Sequence, residues 1–117
     1  MTMKRLKHAL EGAVTAFRID HHFALHLLIA ALVAAAGFLF GLNSMEWLFV
    51  ISAIFFVLIS EIFNTSIEFT VDLVTEEFHE LAKHAKDTAA FAVLLASLYA
   101  AITGLIIFIP KLIGFFA

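Results

Sequence analysis

Three long apolar stretches alternate with short polar clusters. They run from about residues 23 to 42, 45 to 71 and 89 to 109. Each is near the roughly 20 residues that carry a helix across about 30 Å of hydrocarbon. Ahead of them, Leu6, Leu10, Ala13, Val14 and Phe17 recur at helical spacing with Lys4, Arg5 and Lys7 set among them. That pattern predicts an amphipathic helix over about residues 3–20, lying in the membrane surface. It does not read as a secretory signal peptide, because residues 1–18 hold no central apolar run. The expected architecture is all-α and integral to the membrane, with residues 1–117 forming one membrane-embedded domain of three spans and a surface helix.

The turns and the basic residues give this arrangement a direction. Asn43 followed by Glu46 is a capping-box start for the second span, and Trp47 beside it suits a membrane interface. Lys4, Arg5, Lys7 and Arg18 precede the first span, and Lys83 and Lys86 precede the third. Short cytoplasmic flanks are enriched in Lys and Arg. The amino terminus and the second connection are therefore expected on the cytoplasmic face of the inner membrane, and the carboxyl terminus, with Lys111, outside.

Composition agrees with a membrane protein: 63% of residues are hydrophobic and 15% charged, against about 25% charged in a soluble domain. With no cysteine there is no disulfide framework and no thiol chemistry. A net charge of −3 speaks against nucleic acid as a partner, since duplex binders carry a basic excess.

Charge matters most where it enters a span. Glu61, Asn64, Glu68 and Asp72 lie in or beside the second apolar stretch. At about 100° per residue the last three fall near −60°, −20° and +20° of Glu61, so all four are expected along one stripe. With Trp47 at the outer interface, Glu68 and Asp72 sit at the cytoplasmic boundary and Glu61 about 10 Å deeper. A carboxylate at that depth marks a functional site by default.

Asp20, His21, His22 and His26 open the first span at the same level, and Lys86 with Asp87 opens the third. Glu76, Glu77, His79, Glu80, Lys83 and His84 are expected to fill the connection between the second and third spans. Carboxylates suit Mg²⁺, lysine suits phosphate and a deeper carboxylate can take a proton. Together they form the inventory for passing phosphate from a metal-bound polyphosphate to a lipid alcohol. No Walker loop and no G-x-G-x-x-G is present, so any nucleotide site must be built from helix side chains. Two other readings use the same residues. An acidic stripe also serves a small oligomeric ion or proton pathway, although Leu48 to Leu58 offers such a route only Ser52. Polar residues also cement helices in a structural subunit, and Gly37 with Gly41 is a G-x-x-x-G pair of the kind found at close helix contacts.

The stretch Glu61-Ile62-Phe63-Asn64-Thr65-Ser66-Ile67-Glu68, with Val71-Asp72-Leu73, Phe78-His79-Glu80-Leu81-Ala82 and Ala85-Lys86-Asp87, strongly resembles the prokaryotic diacylglycerol kinase family. The likeness covers nearly the whole chain. It implies a homotrimer that moves the γ-phosphate of MgATP onto a membrane alcohol at sites shared between subunits. Glu61 would be the general base, and Glu68 with Asp20 would hold the metal. Asn64 and Lys86 would contact phosphate, Asp72 and Asp87 would shape the pocket, and His26 and Thr65 would line it. Asp20 stands where many members have Glu, Ala24 where a basic residue is common, and Phe91 where a small one is usual. His26 and the turn from Gly41 to Trp47 are more similar to the undecaprenol kinase branch, which favours undecaprenol over diacylglycerol as acceptor.

Overall fold

The computed structural model describes every residue from Met1 to Ala117 as four helices and no strand: α1 (Met3–Ile19), α2 (His21–Phe40), α3 (Ser44–Val74) and α4 (Glu80–Phe116). The last three are long and apolar enough to cross a membrane. α1 starts at Thr2, whose hydroxyl accepts from the Arg5 N–H at 3.2 Å. It stops at Asp20, which leaves the helical region and starts α2 by accepting the His22 N–H on Oδ1 at 2.9 Å. One residue thus ends one helix and caps the next, as a short polar side chain at an N-cap does.

α2 ends two residues before the apolar stretch does. Gly41 takes φ +67°, the left-handed region that favours glycine, and the Leu42 N–H returns to the Gly37 carbonyl at 3.1 Å. Leu42 therefore folds back and is buried with Val50 and Ile107, against Val33, Trp47, Ile54 and Phe108. Asn43 and Glu46 form the expected capping box, with bonds of 2.8 and 3.0 Å.

α3 and α4 pack along much of their length, whereas α2 meets α3 over a shorter stretch. With 31 and 37 residues, both outrun the membrane, since about 20 residues suffice to cross it. α4 begins at Glu80, so Lys83 and His84 lie on its first turns, and the connection shrinks to Thr75–His79. The polar residues expected between the second and third spans are thus helical from Glu80 onward. Apart from His84, the residues Glu80 to Lys86 are good helix formers, with no Gly or Pro among them. His79 supplies the cap, its Nδ1 accepting from the Leu81 N–H at 3.1 Å. α4 also runs on through Pro110 to Phe116.

The side chains of α3 that turn inward are Val50, Ala53, Val57, Glu61 and Thr65, a row spaced by three and then four residues. Glu61 takes the place of an apolar residue in that row. The fold thus carries a carboxylate into its interior on a continuous helix.

Candidate functional site

Glu61 is 6% exposed. The residue facing it is His26 on the second turn of α2, whose Nε2 lies 3.0 Å from Glu61 Oε1. One turn along α3, Thr65 is buried too, and its hydroxyl donates to Asp20 Oδ2 at 3.0 Å. Asp20 therefore uses one carboxylate oxygen as a helix cap and the other to hold α3. Glu61 with His26 and Thr65 with Asp20 fasten the start of α2 to a single turn of α3.

Asn64 looks the other way. It lines a groove of about 790 Å³ between α3 and α4, with Phe63, Ile67, Ala89 and Ala92 near it. Its Nδ2 donates to Glu68 Oε1 at 3.2 Å, while its Oδ1 is buried and has no partner. Beyond it, Lys86 of α4 donates to Asp72 Oδ1 at 2.7 Å and joins the two helices. Lys86 precedes the apolar stretch that begins at Ala89, and the hydrogen bond to Asp72 holds its ammonium above the usual lysine pKa. Lys83 and Asp87 pair along α4 at 2.6 Å.

The expected stripe is therefore divided. Glu61 and Thr65 turn to α2, Asn64 turns to the α4 groove, and Glu68 and Asp72 are exposed. The reason is angular: a spread of about 80° around a helix is wide enough to address two neighbours at once. Asp20 and Glu68, grouped by the resemblance, are bonded here to different residues of α3. Besides Asp20 with Thr65 and Lys86 with Asp72, three further contacts were invisible in the sequence. They are the pairing of His26 with Glu61, the Ser52–Tyr99 hydroxyl contact of 3.0 Å between α3 and α4, and the ion pair of Lys111 with Glu46 at 3.1 Å. Each joins residues far apart along the chain, where spacing carries no signal.

Residues 7–108 match the family described as prokaryotic diacylglycerol kinase. The chain belongs to this family. It is an ATP-dependent lipid kinase of the membrane. The kinase is 41% identical over 109 residues to an undecaprenol kinase of Bacillus subtilis (strain 168), covering 93% of this chain and 89% of that one. It is 37% identical over 109 residues to a diacylglycerol kinase of Synechocystis sp. (strain ATCC 27184 / PCC 6803 / Kazusa), covering 92% of this chain but 62% of that longer protein. A diacylglycerol kinase of Escherichia coli (strain K12) is 47% identical over 53 residues, 45% of this chain and 43% of that one.

Proposed function

We propose that this kinase transfers the γ-phosphate of MgATP to the hydroxyl of undecaprenol, at the cytoplasmic face of the inner membrane, with Glu61 as general base. The observation that carries this reading is Glu61 itself: a carboxylate set into the buried row of α3, held by α2, about 10 Å along the helix from exposed Glu68 and about 16 Å from exposed Asp72. A lipid alcohol reaches that depth from the bilayer, and a nucleotide stays near the exposed end. Preference for undecaprenol rests on His26, on the turn from Gly41 to Trp47, and on the similarity to the Bacillus subtilis undecaprenol kinase over most of both chains.

Phosphoryl transfer demands positioning and charge stabilisation more than covalent help from the protein. Glu61 takes the proton of the acceptor hydroxyl as the new O–P bond forms, and the bond from the γ-phosphorus to ADP breaks. Lys86 meets phosphate oxygens, exchanging part of its contact with Asp72, while Asp72 and Asp87 keep Lys86 and Lys83 in place. Thr65 fixes Asp20 and so the entry to α2. The α1 segment lies along the membrane surface, with Leu6, Leu10, Val14 and Phe17 toward the lipid.

For Mg²⁺ the donor set is suitable. Glu68 supplies a carboxylate oxygen and Asn64 Oδ1 beside it is a buried hard oxygen without a partner, while Asp20, on the α2 side of α3, would add its carboxylate from a neighbouring copy. Mg²⁺ is normally held by one or two carboxylates together with the substrate phosphates. Bound there, Mg²⁺ would neutralise charge on the nucleotide phosphates. Three copies of the chain form the working enzyme in this reading, with each site completed by a neighbour.

The test is purified protein in micelles with labelled ATP and Mg²⁺, offered undecaprenol and diacylglycerol in parallel. Label should appear in undecaprenyl phosphate at a higher kcat/KM than in phosphatidate. Glu61→Gln should lower kcat by roughly a thousandfold or more, because proton transfer to a placed base contributes about 10²–10⁴. ATP binding should stay intact. A preference for diacylglycerol would reverse the acceptor, and normal turnover by Glu61→Gln would remove it as base.

A further inference from the structure

Glu61 has to be ionised to take a proton, yet it is nearly enclosed, and a buried carboxylate is tolerated only with a partner. At hydrogen-bonding distance that partner is His26, a quarter exposed, with Nε2 3.0 Å from Oε1. The contact is one-sided. Oε1 faces the imidazole, and no hydrogen bond or ion pair engages Oε2. His26 also lines one end of a crevice of about 310 Å³ between α2, α3 and α4, whose walls include Ala30, Ala53, Ala101 and Gly104. The pair thus sits where apolar surroundings meet the polar cluster.

We infer that His26 is a positioning residue for Glu61: its Nε2–H holds Oε1 and turns Oε2 toward the acceptor hydroxyl. This rests on the reading of Glu61 as base. In the transfer the hydroxyl O–H bond breaks and its proton passes to Oε2. The alcohol oxygen bonds to the γ-phosphorus, and the bond from that phosphorus to the β,γ-bridging oxygen breaks to release ADP. His26 keeps its own proton throughout. The imidazole therefore contributes orientation, and orientation is costly to lose: a misplacement of about 1 Å can lower a rate about 10²-fold.

The geometry makes the requirement specific. A glutamine side chain places an amide N–H close to where Nε2 sits, whereas an asparagine places it near the position of Nδ1, too short to reach Glu61. Full-length protein in micelles carrying His26→Leu, His26→Gln, His26→Asn or Glu61→Gln is assayed with MgATP and undecaprenol, alongside size-exclusion chromatography. His26→Leu and His26→Asn should lose roughly 30-fold or more in kcat, with KM for ATP within about twofold of wild type. His26→Gln should recover to within about threefold of wild type. His26→Leu added to Glu61→Gln should lower the residual rate no further, since the two residues act as one unit.

Wild-type kcat in His26→Leu, with Glu61→Gln inactive, overturns the proposal and leaves the base in place. Equal rates for His26→Gln and His26→Asn overturn it as well, and that comparison stands even where His26→Leu fails to assemble. A fully active Glu61→Gln strikes instead at the base assignment beneath it.

Discussion

At Gly37 a Cβ would lie 2.6 Å from Cη2 of Trp47 and 3.1 Å from Cδ1 of Leu42. The glycine is needed because the edge of the Trp47 indole packs directly against α2 there. Trp47 is held there by the tilted ring of Phe38, with centroids 4.9 Å apart. Gly37→Ala should therefore push the ring away and lower stability by about 1–3 kcal/mol, as overpacking does. Thermal denaturation in micelles measures the loss, and a shift in emission of Trp47, the one tryptophan, reports its cause. The same contact settles the Gly37/Gly41 pair. Spacing suggested close helix packing, and the two glycines turn out to do different things: Gly37 admits Trp47 and Gly41 supplies the left-handed turn. Both depend on where the chain folds back, which spacing does not encode.

Between elements, the turn from α2 to α3 is closed twice. Asn43 and Glu46 cap each other, and Lys111, near the end of α4, reaches Glu46 at 3.1 Å. Asn43→Ala removes the acceptor for the Glu46 N–H and should cost about 1 kcal/mol, with a range of roughly 0.5–2, read as a lower midpoint of thermal unfolding. The cap itself was legible, because its two residues are three apart in sequence. Its tie to Lys111 was not, because 65 residues separate the partners and only the antiparallel course of α3 and α4 joins them. The start of α4 shows the opposite bias. A polar segment of good helix formers reads as a loop when hydropathy is the guide, whereas a helix projecting from the membrane needs no apolar residues on its exposed turns.

For the molecule as a whole, 11 of 117 residues are buried. Large side chains such as Phe55, Phe56 and Phe63 stay exposed on α3, so lipid or further copies of the chain must cover them. We expect light scattering of the purified protein in micelles to give the mass of three chains. Mixing dissociated Glu61→Gln and Lys86→Ala chains in equal amounts should then restore roughly a quarter of wild-type turnover, the chance that a shared site draws both intact residues. No recovery on mixing would place the whole site within one subunit.

The apolar lengths, the charged residues inside a span and the signature from Glu61 to Asp87 are written in the sequence itself, because membrane crossing and helical phase are properties of a local segment. They disclosed three spans, a family and the residues worth watching. Which neighbour each polar side chain meets depended on how the helices lie against one another. Contacts between distant residues follow from packing, so His26 on Glu61, Asp20 on Thr65 and Lys86 on Asp72 emerged with the folded chain.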